Sequence, residues 1–499
     1  MGRVEVTSRL GVHCMKAGCN AVCLFTALLL AGLLAGCTAG PDFKRPAAAP
    51  DVTGYTATSL PMQTVSAPMS SLGEAQHFTP GSSVSAQWWQ SLGSSRLDAL
   101  IAQAFQASPT LAAARATLRQ AQEIYSAQAG STLYPQLDAG IGAQRQRLNP
   151  SLLGQTGDAR EFNLYNASVG VHYQLDLAGG NWRAMEALLA RAEYQRYQLE
   201  GARLTLAANI VTTVITQARL TGQIQSTEAI LRAQDEQLHL TRELVRLGQA
   251  APDDVLAMQT QVEQTRAGLP LLRKQRQQNE HLLAVLAGQM PGAGGLPTFN
   301  LEELTLPVQL PLVLPSELVR RRPDIQAAEA LLSAANAEYG VAVARLYPQL
   351  NISASLGSQA LSTGAVFGGG SAVWSFIGQL TQPLFTPGLS AEKRASLAAF
   401  DAAAANYQSV VLEALRNVAD VLQALDNDAQ TLAALASADI AAQGSLESMQ
   451  RQYALGAVSY IQLLVAQQQA QQNRTNLIAA QAQRLVDSAA LYQALGGGG

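Results

Sequence analysis

The chain has 499 residues, of which 14 % are charged and 5 % aromatic, and its formal net charge is −3. This balance provides no basic surface of the kind that binds nucleic acid, so we exclude nucleic acid as a partner. The low content of aromatic and charged residues favours long, weakly charged helices over one compact aromatic core.

Residues 1–36 have the pattern of a secretory signal peptide. Lys16 precedes an apolar run over residues 21–30, and Leu-Ala-Gly-Cys follows at residues 34–37. A basic start, a short apolar stretch and small residues before the cleavage site are typical of such signals. A start at Met15 would give a signal of more ordinary length. The alternative is a membrane anchor with a chance cysteine, but the run is shorter than the ~20 residues that span a bilayer.

The Leu-Ala-Gly-Cys sequence resembles the bacterial lipobox, which predicts that Cys37 becomes a lipidated N-terminus. The lipid would be a diacylglycerol with an N-acyl chain, and we expect no other cofactor. Thr38 in the next position indicates sorting to the outer membrane by resemblance to lipoprotein sorting rules. No cysteine follows Cys37, which excludes disulfides from the mature chain. The stretch 46–84 is rich in Ser, Thr and Pro and predicts an extended tether from the lipid to the body, within a lipidated N-terminal segment over residues 37–86.

A long internal repeat organises the rest of the chain. Residues 109–137 and 323–350 both begin at a proline, continue with an alanine-rich helical pattern and end in Leu-Tyr-Pro-Gln-Leu. A duplicated sequence implies a duplicated structural unit. We therefore predict a first repeat over residues 87–290, a Pro-rich linker over 291–315 and a second repeat over 316–495. Trp88 and Trp89 open the first repeat, where packing is favoured over a role as membrane-interface anchors.

Each repeat contains a predicted strand pair, over residues 135–177 in the first and 348–385 in the second. Apolar and polar residues alternate over most of these stretches, although the last strand alternates less cleanly. Period-two alternation over 8–11 residues is what a membrane-spanning strand needs to present one face to lipid and the other to water. A soluble, half-buried hairpin fits the same pattern.

A long helical hairpin follows each strand pair, over residues 183–288 and 387–495. The first helix of each hairpin runs for about 65 residues, or about 100 Å. Apolar residues recur every seven positions in both helices, which predicts coiled-coil packing. The seam residues are Ile224, Leu231, Leu238 and Val245 in the first repeat, and Val411, Val418, Leu425 and Leu432 in the second.

Four strands cannot close a barrel in a membrane, because the smallest transmembrane barrels have eight, and an open strand edge in lipid leaves amides without partners. If these strands lie in the membrane, the chain must therefore oligomerise. Two copies would give eight strands around a filled interior, and three would give twelve around a channel. A hollow duct favours a homotrimer. The predicted fold is thus an α+β membrane protein.

Several motifs together resemble the TolC/OprM/NodT family of outer-membrane efflux lipoproteins. They are Gly-Pro-Asp-Phe-Lys-Arg-Pro at 40–46, Trp88-Trp89, Leu-Asp-Ala-Leu at 97–100, the two Tyr-Pro-Gln-Leu repeats, Leu-Asp-Leu at 175–177, Gln-Pro-Leu-Phe at 382–385 and the paired Leu-Gly turns. The resemblance covers nearly all of the chain from Cys37 to Leu495. It implies a twelve-stranded barrel in the outer membrane, continued by a coiled-coil α-helical barrel across the periplasm. It also implies a periplasmic membrane-fusion adaptor and an inner-membrane resistance-nodulation-division transporter as partners.

The resemblance places a gate at the turns of the two helical hairpins. One acidic gate position of the family falls on Gln462 and its neighbour on Val465, so the family's acidic pattern is absent there. Asp253 and Asp254 in the first repeat are the alternative source of charge, with Tyr453 and Tyr460 as steric or hydrogen-bonding elements. The competing interpretation of both aspartates is helix capping after Pro252.

The same turns are candidates for docking of the adaptor, through Arg246, Leu247 and Gly248 in the first repeat and Leu455 and Gly456 in the second. The competing interpretation is simple turn geometry, since glycine is the usual residue after a helix end. We find no nucleotide-binding loop, metal spacing or nucleophile motif, and the five histidines are scattered. The sequence therefore predicts a channel and not an enzyme, with no metal and no catalytic residue.

We predict an exit duct that passively conducts drugs or other small molecules out of the periplasm. The exit channel of a type I protein-secretion or metal-export system has the same fold, and the sequence does not separate it from this function. A periplasmic coiled-coil lipoprotein without a pore is the third alternative. The duplicated strand pairs argue against it, because a scaffold has no need of amphipathic hairpins.

Overall fold

A computed structural model describes residues 38–46, 54–56, 61–82, 84–149, 154 and 156–497. The predicted signal peptide and Cys37 lie outside the described residues. Within them the protein combines long helices with a small amount of strand. The helices are α1 (Ser95–Ala107), α2 (Pro109–Leu133), α3 (Gly180–Arg246), α4 (Pro252–Leu286), α5 (Pro315–Arg321), α6 (Pro323–Ala344), α7 (Pro387–Ala454) and α8 (Tyr460–Ala494). The strands are β1 (His77–Pro80), β2 (Gln136–Leu148), β3 (Arg160–Leu175), β4 (Gln309–Leu312), β5 (Gln349–Ala360) and β6 (Ala372–Thr381).

The repeat is visible in the order of these elements. Each copy has a helix (α2 or α6), a strand pair, a helix of 67 or 68 residues (α3 or α7) and a returning helix of 35 residues (α4 or α8). None of the helices in the described part of the chain is long and apolar enough to cross a membrane. The chain divides into two compact units, and each unit takes segments from both repeats.

The described residues within 38–44, 120–192 and 330–405 form the first unit, which contains a four-stranded antiparallel sheet in the order β2-β3-β5-β6. β2 pairs with β3 and β5 with β6, as expected for neighbours in sequence. β3 and β5 also pair in antiparallel fashion, and this pairing joins the two strand pairs. It extends from Leu175 opposite Leu350 to Tyr165 opposite Ala360. The two repeats therefore form one continuous sheet.

The second unit comprises residues 45–119, 193–329 and 406–499 and contains the main hydrophobic core. The heptad residues Ile224, Leu238, Val418 and Leu425 are buried, which agrees with the predicted seams. Trp88 and Trp89 are also buried, and the Trp88 ring stacks on Tyr492 with 5.5 Å between ring centroids. Packing, the favoured interpretation of the tryptophan pair, is thus what the structure shows.

Residues 61–82, which lie within the predicted tether, pack on the rest of the second unit, where β1 pairs with β4 in parallel. Gln76 is fully buried, and its side-chain amide donates to Pro307 O at 2.9 Å and to Ser488 Oγ at 2.8 Å. The sequence of this segment has no hydrophobic periodicity, because individual hydrogen bonds hold the segment in place and not one apolar face.

Candidate functional site: the sheet face and the hairpin turns

One face of the sheet in the first unit is apolar across all four strands in the half nearer to Gln136 and Gln349, and beyond Tyr165 the same side carries Arg145, Arg147, Glu161 and Asn163. Side chains on paired residues of neighbouring strands point to the same side of a sheet. The register puts Ile141 opposite Ala167, Val169 opposite Leu356 and Leu356 opposite Trp374. We call this surface the apolar sheet face; its residues are Leu137, Ala139, Ile141, Ala143, Tyr165, Ala167, Val169, Val171, Tyr173, Leu175, Leu350, Ile352, Ala354, Leu356, Trp374, Phe376, Gly378 and Leu380.

Nothing in the described part of the chain covers the centre of the apolar sheet face. Ile141 is 90 % exposed, Trp374 78 % and Leu356 66 %. The opposite face carries mostly small or polar residues, such as Gly140, Ser168 and Ser355, with a few apolar exceptions such as Val373 and Ile377. A soluble half-buried hairpin would bury the apolar side of its strands, so the exposure disfavours that interpretation.

The two hairpin turns of the second unit have the same geometry. After α3, the Gly248 N–H donates to Val245 O at 3.0 Å and the Gln249 N–H to Leu244 O at 2.8 Å. After α7, the Gly456 N–H donates to Tyr453 O and the Ala457 N–H to Gln452 O, both at 2.9 Å. These are paired Schellman motifs, in which the residue after the helix end adopts the left-handed conformation.

Asp253 and Asp254 differ in what their side chains contact. Asp254 Oδ2 accepts a hydrogen bond from the Ala251 N–H at 3.3 Å, so this carboxylate caps the first turn of α4. Asp253 is exposed, and no hydrogen bond or ion pair engages its side chain within the described residues. The capping interpretation therefore applies to Asp254, and Asp253 is left as the free carboxylate at this turn.

Gln462 occupies the position in the second repeat that Asp254 occupies in the first. Its Oε1 accepts from the Ser459 N–H at 2.9 Å and from Ser459 Oγ at 3.2 Å. An amide can make the same capping contact as a carboxylate without adding charge. The departure from the family's acidic pattern at this position is thus compatible with a well-capped α8.

Tyr453 and Tyr460 pack together beside the turn of the second repeat. Their rings meet edge to face, with 5.8 Å between centroids, and the Tyr460 hydroxyl donates to the Met258 sulfur on α4. Burial raises the pKa of both phenols, and the Asp254 carboxylate raises each further. Tyr460 is 3 % exposed and Met258 is fully buried, so this tyrosine joins the two repeats through their hydrophobic contact.

Sequence reasoning missed Met258 and a pair of glutamine contacts that also join the repeats. Gln467 Nε2 on α8 donates to Gln237 Oε1 on α3 at 2.5 Å, and Gln468 Nε2 donates to Gln261 Oε1 on α4 at 2.9 Å. The signal that could have found them is the run of glutamines on α8, which includes positions that a coiled coil buries.

The docking candidates are exposed residues of the turns. Leu247 is 61 % exposed and Leu455 is 83 % exposed, at equivalent positions of the two Schellman motifs. Arg246 is exposed as well and pairs with Glu243 in its own helix at 2.8 Å. Within the part of the chain that the structure describes, no three His, Cys, Asp or Glu side chains are grouped so that they could hold a metal ion.

Comparison with known proteins identifies the family. The model of the outer membrane efflux protein family matches residues 100–289 and 314–497, which are the two repeats. The chain belongs to this family. A probable efflux pump outer membrane protein of Pseudomonas putida, TtgC, is 31 % identical over 376 residues, which cover 73 % of this chain and 76 % of TtgC. The pyoverdine export outer membrane protein OpmQ of Pseudomonas aeruginosa is 30 % identical over 417 residues, which cover 83 % and 87 %.

The solved structure of the outer-membrane channel OprN is similar to this protein over 93 % of this chain and 99 % of OprN. The TM-score is 0.83 and the sequence identity 26 %. The resemblance seen in the sequence motifs is therefore confirmed, as is the prediction of an efflux protein located in the outer membrane. The family is one of transport channels and not of enzymes.

Proposed function

We propose that three copies of this chain form the exit duct of a tripartite efflux pump, in which their sheets close a twelve-stranded barrel across the outer membrane. The observation that carries this proposal is the apolar sheet face, which is uncovered in one copy. β2 and β6 are the edges of the sheet, and neither edge is paired within the described residues. Unpaired edges are prohibitively costly in lipid, so each edge needs a strand from a neighbouring copy.

The duct would continue through the helical hairpins as an α-helical coiled-coil barrel. A periplasmic membrane-fusion adaptor would dock on the turns, where Leu247 and Leu455 are exposed. The names of TtgC and OpmQ describe efflux and export proteins. We infer that this chain likewise conducts drugs or other small molecules, driven by an inner-membrane resistance-nodulation-division transporter. A lipid on Cys37 would add a second attachment to the membrane.

We place the gate at the turns and assign its charge to Asp253. Three copies of a free, exposed carboxylate would form an acidic ring around the axis of a trimer, and the side chains with their bound counter-ions would narrow the opening there. Asp254 is engaged in capping α4 and supports the turn. Tyr453 and Tyr460 fix the turn of the second repeat against α4 through Met258.

Single-channel conductance in planar bilayers tests the duct and its gate together. We expect small, rarely open steps from the wild type, and larger steps from Asp253→Ala because the variant removes the acidic ring. Asp254→Ala is the matched control: it should destabilise the first turn of α4 by about 1 kcal/mol and leave the step size nearly unchanged.

Two results would contradict the proposal. Absence of conductance from the wild type and from both variants, after insertion has been confirmed, would count against a duct. Enlarged steps in Asp254→Ala but not in Asp253→Ala would move the gate to the capped position and show that the free carboxylate is not the gating group.

A further inference from the structure

The residues that directly follow Cys37 are docked on the body of the first unit. Ala39 is 7 % exposed, and its N–H donates to Ala178 O at 2.8 Å. The Pro41 carbonyl oxygen accepts a hydrogen bond from Asn336 Nδ2 at 3.0 Å. Residues 38–42 therefore have a defined position on the first unit, although they lie within the predicted tether.

Arg183 is the centre of this docking site. Its guanidinium is almost completely buried and points at the docked segment: Nε donates to Ala39 O at 3.2 Å and Nη2 to Asp42 Oδ1 at 2.6 Å. Nη2 also lies 3.3 Å from Thr38 Oγ1 and 3.4 Å from Gly40 O. Burial of a charged group is costly unless its donors are satisfied, and here the docked segment satisfies most of them.

The backbone at the docking site leaves room only for glycine. Gly40 has a φ of +83°, and a Cβ at this position would lie 2.7 Å from Gly340 Cα on α6. A Cβ on Gly340 would lie 2.9 Å from Arg183 Cγ and 3.1 Å from Ala39 O. The site is therefore shaped to accept this segment in one conformation.

The docking site lies at the end of the sheet where the strands meet the helices. β2 and β5 begin at this end and β3 and β6 end there, because Gln136 pairs with His172 and Gln349 with Thr381. We call the exposed aromatic residues that flank these four strand ends the aromatic group; they are Tyr134 (67 % exposed), Trp182 (53 %), Tyr347 (51 %) and Phe385 (89 %).

The docked segment and Trp182 of the aromatic group both lie close to the connection between β3 and α3. Trp182 directly precedes Arg183 in the first turn of α3, and its backbone N–H donates to Asp176 Oδ2 at 2.9 Å. A Cβ on Gly179 would lie 3.0 Å from Thr38 Cα, so the chain passes close to the end of β3. Aromatic side chains that flank strand ends are typical of the boundary between lipid and water.

We propose that Arg183 is a positioning residue that fixes the chain after Cys37 at this end of the sheet, so that acyl chains on Cys37 enter the lipid bilayer at the level of the aromatic group. The inference rests on the proposed lipidation of Cys37 and goes beyond it, since a lipid on a loose tether would have no fixed level. Docking restricts the conformations of the segment before the protein inserts into the membrane. The lipid and the sheet then bind the bilayer as one rigid surface.

Hydrogen–deuterium exchange of the full, lipidated protein in phospholipid nanodiscs tests this assignment. We expect peptides that cover residues 38–46 to be protected in the wild type and to exchange about tenfold faster in Arg183→Ala, because the docked amides then open locally. Arg191→Ala is the matched control: Arg191 lies two turns further along α3 and forms an exposed ion pair with Glu338 on α6. Its removal should leave the exchange of residues 38–46 unchanged.

Gly40→Ala provides a second variant that leaves α3 intact, in case Arg183→Ala does not fold. It should accelerate exchange of the same peptides, since the added Cβ meets Gly340 and the left-handed backbone is strained. Radiolabelled palmitate is incorporated in parallel and reports lipidation of Cys37. Wild-type exchange rates in residues 38–46 for both variants would overturn the proposal, and so would the absence of palmitate from the wild type. Conductance is measured on the same samples, so a failure of the anchor is distinguishable from a failure of the duct.

Discussion

Arg484 lies on α8 with 1 % of its surface exposed, and it holds residues 61–82 against the second unit. Its Nη1 donates to Leu72 O at 3.2 Å and to Glu74 O at 3.0 Å, and its Nη2 donates to Gln76 Oε1 at 2.8 Å. Burial lowers the pKa of Arg484, and the Coulombic effects of Glu74 and Asp487 oppose the shift. The buried guanidinium acts here as that of Arg183 does in the first unit. Each donates hydrogen bonds to carbonyl oxygens and to a carboxylate or amide oxygen of an irregular segment, and so fixes that segment to the fold.

Asp487, one turn from Arg484, makes stability depend on pH. Burial first, and then the nearby Asp428 on α7, raise the pKa of its carboxyl to about 7, against the opposing effects of Gln483 and Arg484. The folded state therefore holds this proton more tightly than the unfolded state, whose pKa is about 3.9. The stabilisation is complete below about pH 4 and is lost as the pH rises through about 7, by on the order of 4 kcal/mol.

Thermal unfolding of the detergent-solubilised protein at pH 5 and pH 8 checks this dependence. We expect the wild type to unfold at a lower temperature at pH 8, and Asp487→Asn to lose most of the difference because its amide does not ionise. Asp401→Asn, which changes an exposed carboxylate on α7, should keep the wild-type dependence. An unaltered difference in Asp487→Asn would show that other groups cause it.

At the scale of elements, the two Schellman turns need glycine because its backbone adopts a positive φ easily. They do not need it because a larger side chain would clash. Gly248 and Gly456 have φ angles of +74° and +72°, and a Cβ on either would meet no heavy atom within 4 Å. Alanine at these positions should therefore destabilise the hairpin only through the left-handed backbone, by about 1 kcal/mol each.

Gly268 in the interior of α4 is the matched control, because a Cβ there also meets nothing within 4 Å and the backbone is helical. Gly268→Ala should stabilise the protein by about 0.5–1 kcal/mol, the opposite sign to Gly248→Ala or Gly456→Ala. Urea unfolding followed by circular dichroism measures both effects. Equal signs for the turn and helix variants would mean that the turns do not require the left-handed conformation.

The strands and helices could be predicted from the sequence with bounds close to those observed, since period-two and heptad patterns are local signals. The β6 strand was the weakest prediction, and its register explains why. Trp374, Phe376 and Leu380 lie on the apolar sheet face, while Val373 and Ile377 lie on the opposite one. Apolar residues on both faces obscure alternation in the sequence, although the strand is paired along its full length.

At the scale of the whole molecule, the open edges of the sheet predict the number of chains. One copy supplies four strands, and three copies supply the twelve needed to enclose a channel. Native mass spectrometry of the detergent-solubilised protein should therefore detect three chains per particle. Single chains that keep the sheet and conduct ions would contradict the closed twelve-stranded barrel, and an eight-stranded pair of chains would leave no room for a duct.

The sequence alone determined the repeat, the long helices, the alternating strands and the family, because each of these depends on residues that are near one another in the chain or on short motifs. Tertiary structure alone decided the pairing of β3 with β5, which joins the repeats into one sheet and makes its apolar face continuous. It also docked residues 38–42 on Arg183 and residues 61–82 on Arg484. Such contacts join residues more than a hundred positions apart through single polar groups, and no periodicity records them.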